Sequence, residues 1–378
     1  MTRLLFVDDE PLVLRGIERA LRARRPSWVA RFATSGAEAL AIIQREDIDI
    51  IASDIGMPGM DGVTLFHRIR DRRPRIARIA LSGEARFTDR MRAVLEIHQW
   101  LAKPCPPTVL IDTIERVRWG QSLVEDRETS SSLTGLACLP SPLTFYRSVA
   151  RAIERKAGFE ELVALAETDV GTSAKLLQLV NSAFFAEPQR VVVPRTAAMI
   201  LGIDRLRALL VASEVAFSPD AAGIGRRALF VATLSRAFAA DHGDDAFLAG
   251  LLHDVGQLAL GPLPEAPSAR LAGRSSGLLL ATWGLPIEVV QAVAFRGDPR
   301  SAPDPTDPRL RALRLAIALV DEVDGAVSDR LIVDARAAEL GLDPQECRRR
   351  AVAAQPVDQE PGISSTMPSP ILFPRSTR

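Results

Sequence analysis

The segment IDIIASDIGMPGMDG, Ile48 to Gly62, narrows the choice of fold more than any other part of the chain. Its apolar, β-branched run has the composition of a strand buried on both faces of a parallel sheet. It stops abruptly at Asp54, before a loop carrying Pro58, Gly59 and Gly62. A carboxylate is thereby placed at the carboxyl end of a buried strand, the edge at which open α/β sheets bind ligands. Three further apolar runs end in polar groups. Leu4-Leu5-Phe6-Val7 releases Asp8, Asp9 and Glu10, Ile79-Ala80-Leu81 releases Ser82, and Trp100-Leu101-Ala102 releases Lys103. If these runs lie side by side and parallel, three carboxylates, a hydroxyl and an ammonium share one rim. Carboxylates that close repel unless a cation lies among them, and an all-oxygen donor set suits Mg²⁺, which keeps waters and accepts phosphate oxygens. Lys103 and Ser82 then suit a phosphoryl group on Asp54.

The ordered set Asp8-Asp9, Asp54, Met57-Pro58, Asp61-Gly62, Ser82 and Lys103-Pro104 resembles the receiver domain of two-component response regulators, over residues 1–119. The resemblance implies that Asp54 accepts a phosphoryl group from a phosphohistidine on a sensor histidine kinase or phosphotransfer protein. It also implies that Asp9, Asp54 and the Gly56 carbonyl hold Mg²⁺, Asp8 assisting through water, and that Ser82 and Lys103 contact the phosphoryl oxygens. Trp100 falls where the family carries an aromatic switch, and the Lys103–Pro104 bond is expected to be cis. The implied fold is a flavodoxin-like α/β domain with a five-stranded parallel sheet in the order 2-1-3-4-5. Its strands are expected near 3–8, 28–33, 49–54, 76–82 and 99–103, and its helices near 11–24, 36–45, 62–72, 86–97 and 107–119.

A chain of 378 residues with 47% hydrophobic content has room for two or three domains. Lys plus Arg and Asp plus Glu are both 47, so no overall basic field points to nucleic acid. An apolar strand from residue 3 leaves no room for a signal peptide, no apolar run approaches a membrane span, and Cys105, Cys138 and Cys347 show no paired ligand spacing. These features suit a cytoplasmic protein without disulfides.

From 120 to 135 the sequence turns polar, GQSLVEDRETSSSLTG, and reads as a linker that the preceding helix could enter. After it the apolar residues recur at helical spacing alone, including Ser173 to Ser182, Ala246 to Leu260 and Ser276 to Trp283. The phrases AKLLQLVNSAFF from Ala174, AAMILG from Ala197, GLLHDVG from Gly250 and WGLP from Trp283 resemble the all-α HDOD domain, a relative of HD metal-dependent phosphohydrolases, over residues 136–300. A helical extension is expected over 301–354 and a disordered tail over 355–378.

His253-Asp254 is the pair that an HD hydrolase would use in a metal cage. The chain has four histidines, His67, His98, His242 and His253, the first two expected at exposed helix and loop positions of the receiver. Ala232 stands where a first ligand is expected, Ala294 to Pro299 lacks the histidines often found there, and Asp321 reads as a solvated helix residue. Two or three ligands do not make a closed cage, so His253 and Asp254 read as a non-catalytic remnant. Asn181 to Phe185 reads as core packing in preference to a partner surface. The resulting expectation is a non-enzymatic response regulator whose HDOD half relays a signal to an unidentified output protein by contact, with a homodimer through the receiver left open. The alternative is a receiver-controlled, metal-dependent HD-type phosphohydrolase acting on a cyclic dinucleotide or nucleotide.

Overall fold

The structure, a computed structural model, describes residues 2–83, 96–139, 141–181, 191–212, 221–260, 268–325 and 330–355. Strands β1 (Arg3–Val7), β2 (Val29–Ala33), β3 (Ile50–Asp54), β4 (Ala77–Ser82) and β5 (Gln99–Ala102) form one sheet. All pairings are parallel and the order is β2-β1-β3-β4-β5, as expected. Strand alternation divides the core into two layers. Leu5, Val7, Ile51, Ala80 and Trp100 face helices α2 (Gly36–Arg45) and α3 (Gly62–Arg72). Leu4, Phe6, Ile50, Ala52, Ile79 and Leu101 face α1 (Pro11–Arg24) and α4 (Pro107–Ser122). The helix expected over 86–97 lies, up to residue 95, outside the described residues, as do Phe184, Phe185 and the tail from 356.

The polar stretch 120–135 is not an open tether. α4 runs on to Ser122, and Asp126 caps a further helix, α5 (Arg127–Gly135), its Oδ2 accepting from Thr129 N at 2.7 Å. Leu123, Val124 and Leu133 are buried, so three apolar residues spaced through a polar sequence dock the segment. Helices then follow alone: α6 (Leu143–Glu154), α7 (Phe159–Thr168), α8 (Val170–Val180), α9 (Pro194–Leu201), α10 (Ile203–Ala212), α11 (Ala221–Phe238), α12 (Gly243–Leu251), α13 (Val255–Leu260), α14 (Ala269–Thr282), α15 (Ile287–Ala294), α16 (Pro308–Val323), α17 (Arg330–Ala338) and α18 (Pro344–Ala354). One apolar cluster runs from Leu133 through Leu278 to Ala351, so the extension beyond residue 300 shares the core of the helical half.

Three boundaries differ from expectation. The helix expected over 246–260 is two, α12 and α13, broken where His253 and Asp254 turn. α14 begins at Ala269, capped by Ser268, instead of at residue 276. α8 begins at Val170, capped by Asp169, instead of at 173. In the last two cases an N-cap side chain on a polar residue sets the start before the apolar period becomes visible.

The halves meet along β5, the outer strand of the sheet. Gly120 and Gly284 permit the approach: a Cβ on Gly120 would lie 2.5 Å from Ala281 Cβ, and one on Gly284 would lie 2.7 Å from Gln99 Oε1. Gly284 also has φ of 78°, which favours glycine in its own right. The junction buries charge. Arg78, fully buried, donates to the carbonyl oxygens of Glu96, Pro74, Ile76 and, across the boundary, Gly135. His98, expected at an exposed position, has no exposure at all, because the helical half covers the entry to β5. Its Nδ1 accepts from Arg78 N at 2.9 Å, and burial, then the Arg78 and Lys175 charges, hold the ring well below its ordinary range and therefore neutral.

Candidate functional site

At the carboxyl edge of the sheet, β1 ends beside β3, and Asp8 and Asp54 leave their strands together. One carboxylate oxygen from each of Asp8, Asp9 and Asp54 lies within 4.8 Å of the others. Asp8 is 1% exposed and Asp9 is exposed. The loop after β3 folds back because Gly62 has no side chain: a Cβ there would lie 2.3 Å from the Asp54 carbonyl oxygen. Gly62 N instead bonds Ile55 O at 3.0 Å, and Asp61 caps α3 through Thr64 N at 2.7 Å. The loop keeps Gly56 beside Asp54, since a Cβ on Gly56 would stand 3.8 Å from Asp54 Oδ2.

Lys103 comes from the far side. Its main-chain N bonds Ser82 O at 2.8 Å, the peptide to Pro104 is cis, and its ammonium reaches Asp8 Oδ2 at 2.7 Å and Asp54 Oδ1 at 3.1 Å. Burial pulls the lysine pKa down, but hydrogen bonds and charges from Asp8 and Asp54 outweigh it and leave a net rise. Ser82 ends β4, one residue beyond the Asp54–Leu81 pairing, with its hydroxyl on Gly83 O at 3.2 Å. Trp100 is 5% exposed in the layer facing α2 and α3, and its indole Nε1 has no hydrogen-bond partner among the described residues. The structure therefore gathers Asp8, Asp9, Asp54 and Lys103 on one rim, with Ser82 at its edge and Trp100 three residues before the lysine. The cluster offers only oxygen donors with one ammonium, a set that fits a hard divalent cation of the Mg²⁺ type.

The second candidate has a different character. His253 lies in the turn between α12 and α13, 1% exposed, with Nδ1 2.7 Å from Gly250 O and Nε2 3.0 Å from Asp254 Oδ2. The other oxygen of Asp254 meets Arg296 Nη2 at 2.5 Å, and Arg296 Nε donates to His253 O at 3.3 Å. Arg296 was not singled out from the sequence. The signal was present in the same stretch, Ala294 to Pro299, where histidines are missing and a lone arginine follows an apolar helix. Asp321 is no free acid either, since Arg227 Nη2 holds it at 2.6 Å. At Ala232 the backbones of α11 and α12 touch, a Cβ on Gly250 lying 2.5 Å from Ala232 Cα. A guanidinium thus occupies the acid that a metal cage would need, and this donor set does not fit a catalytic metal.

Burial would raise the Asp254 carboxyl, but the charges and hydrogen bonds of His253, then Arg296, hold it well below the usual carboxylate range. A lowered folded-state pKa gives stability that is present above the unfolded value and lost as the pH falls through the folded one. Asp254→Asn is therefore expected to lower stability at neutral pH by about 3 kcal/mol, because it strands the Arg296 charge. The difference from wild type should shrink below about pH 4. Urea unfolding at neutral and acid pH checks this, and an equal deficit at both would refute it.

An α/β domain with an acidic rim and a lysine opposite defines the receiver class, and it is joined here to an all-helical half. Residues 4–115 match the family described as response regulator receiver domain, and residues 139–276 match the HDOD domain; the chain carries a receiver followed by an HDOD domain. It is similar to the hydrogenase transcriptional regulatory protein HoxA of Cupriavidus necator, 34% identical over 125 residues, which cover 32% of this chain and 25% of that protein. The transcriptional activator protein ExaE of Pseudomonas putida is 30% identical over 141 residues, covering 37% of this chain and 64% of that one. The chain thus spans less than two thirds of either relative. Among solved structures, the MmoQ response regulator from Methylococcus capsulatus matches over 56% of this chain and 97% of its own, with 22% identity and a TM-score of 0.47. The receiver of an HD domain-containing protein from Pseudomonas fluorescens covers 30% of this chain and 92% of its own, at 26% identity and a TM-score of 0.29. Among the described residues no helix is long and apolar enough to cross a membrane.

Proposed function

We propose that this chain is a cytoplasmic two-component response regulator that accepts a phosphoryl group on Asp54 from a histidine kinase or phosphotransfer protein. Its HDOD half relays the signal by contact, without catalysis. The observation that carries the reading is the Asp8, Asp9, Asp54 cluster closed by Lys103. Asp54 Oδ1 accepts from its neighbour Ile55 N at 2.9 Å as well as from Lys103, which leaves Oδ2, on the Gly56 side, as the attacking atom. Attack forms an O–P bond on Asp54 as the donor's N–P bond breaks. Bound by Asp9, Asp54 and the Gly56 carbonyl, with Asp8 through water, Mg²⁺ would neutralise charge on the transferring group. Lys103 stabilises the same charge from the opposite side, and Ser82 turns its hydroxyl from Gly83 O toward a phosphoryl oxygen. Trp100 moves with it, shifting a two-state equilibrium in the receiver. The Arg296 and Asp254 pair supports the non-catalytic reading of the HDOD half.

Full-length protein incubated with acetyl phosphate and Mg²⁺ should gain the mass of one phosphoryl group, and Asp54→Asn should gain none. The same preparations should carry no stoichiometric transition metal and hydrolyse no phosphodiester. Equal labelling of both proteins would overturn the assignment of Asp54. Stoichiometric metal lost in His253→Ala would overturn the non-catalytic one.

A further inference from the structure

We propose that the groove between α2 and α3, at the amino end of the receiver sheet, docks an acidic amphipathic helix of a partner protein. The site stands apart from the acidic rim, and the proposal does not depend on the assignment of Asp54. The inner part of the groove is a recess of about 210 Å³, lined by Leu40 and Ile43 of α2 and by Ile69 of α3, with Arg68, Arg72 and Arg73 completing the lining. Gln44 and Arg73 also line a second recess of about 430 Å³, which takes in Arg45 at the end of α2 and Arg3 at the start of β1. The two adjoin and form one trough over the ends of both helices. A cavity of about 150 Å³ already holds a benzene-sized apolar group, so the inner recess has room for a leucine or phenylalanine side chain.

The arginines set the chemistry of the occupant. Arg68 and Arg72 are exposed and stand four residues apart on α3, a like-charge spacing that weakens a helix. Arg73 and Arg45 are exposed beside them. Among the described residues, none of these four guanidiniums has an acid within salt-bridge distance or a hydrogen-bond acceptor. The two acids of the trough are already engaged, Glu46 by Arg31 at 2.8 Å and Asp47 by Arg75 at 2.8 Å and Arg3 at 3.2 Å. The helix dipoles account for Arg45, Arg72 and Arg73 at the helix ends, but Arg68 lies a full turn earlier and gains little from them. An apolar recess bordered by uncompensated positive charge suits a helix with apolar anchors at i, i+3, i+4 and i+7 and carboxylates on its flanks. Those carboxylates pair with the guanidiniums while an anchor fills the recess. A nucleic-acid backbone would use the charges and leave the recess empty. β3, five residues or roughly 17 Å of strand, separates the trough from Asp54, so a helix held there stays clear of the acidic rim.

The test uses the full-length chain and a fluorescein-labelled peptide of leucine, alanine and glutamate, with leucine at the four anchor positions of an amphipathic helix. Its anisotropy should saturate at micromolar protein. Arg68→Glu/Arg72→Glu should raise the Kd by about tenfold or more, because each reversal sets like charges face to face. Arg68→Gln/Arg72→Gln, which removes the charge without reversing it, should raise the Kd by about fivefold and decides the matter if the reversal does not fold. Arg147→Glu/Arg151→Glu makes the same change of net charge at exposed positions of α6 in the HDOD half and should bind as wild type does. An equal loss in that control refutes the groove, because attraction to net charge would then suffice. A peptide with serine in place of leucine should bind at least about tenfold more weakly, since it has nothing to bury in the recess. Equal binding of the serine peptide, or tighter binding of a DNA duplex of the same charge, refutes an amphipathic helix as the occupant. An anisotropy that does not rise at ~100 μM wild-type protein refutes the site altogether.

Discussion

Lys103→Met is expected to lower the stability of the full-length chain in metal-free buffer by about 3–5 kcal/mol, the range for breaking a buried charge pair by removing one partner. The ammonium lies 2.7 Å from Asp8 and 3.1 Å from Asp54, and Asp8 is 1% exposed. Its removal leaves two largely buried carboxylates facing each other, with Asp9 alongside. Two opposite responses follow from the same electrostatics. In the variant, Mg²⁺ should raise the unfolding midpoint more than in wild type, because the divalent ion then supplies all the neutralising charge. Acid should stabilise the variant relative to wild type, because a proton on one carboxylate relieves the repulsion. In wild type the raised lysine pKa gives stability that is fully present below the ordinary lysine value and is lost only as the pH climbs through the folded one. Urea titrations with EDTA, with Mg²⁺ and at two pH values check all three. A variant as stable as wild type in EDTA would mean that the acids are not electrostatically coupled in solution.

The receiver was legible because its information is local. A buried parallel strand must be nearly all apolar, so each polar residue that ends one is conspicuous, and four such endings in one chain admit few arrangements. Asp54 and Lys103 could be singled out from the sequence for that reason, whereas the strand order came only with the resemblance to the receiver family. The helical half was less legible, since helix starts set by Ser268 and Asp169 precede the apolar period. Residues 120–135 looked like a tether because three apolar anchors among sixteen positions, the rest polar or small, do not make a period, although they suffice to dock two short helical segments. The contacts between the halves were not legible at all. Lys175 and Gln178 interrupt an apolar helix, which signals buried polar groups, but their acceptors lie about eighty positions away on a strand edge. A carbonyl acceptor leaves no trace in the sequence, because every residue has one.

Arg78 shows the same limit and yields the second large effect. It sits on β4, a strand whose six residues are all buried, with no acid side chain in bonding contact among the described residues. Burial pulls the guanidinium pKa down to about 10, a penalty for the charged form of about 3 kcal/mol at the usual conversion. Against that stand hydrogen bonds to four carbonyls, each worth about 1.5–3 kcal/mol when the donor is charged. The sum favours the arginine, so Arg78→Met, which is apolar and lacks any donor, should lose about 3 kcal/mol or more even after the relief of desolvation. The loss should not stay within the receiver. Gly135 O is one of the four acceptors, and His98, whose Nδ1 accepts from Arg78 N, stands at the entry to β5. The urea midpoint of the variant should fall, and amide exchange should rise both around Ile97 and in α5, because the guanidinium ties those two segments across the boundary. A variant whose exchange rises in the receiver alone would show that the halves are held together without it.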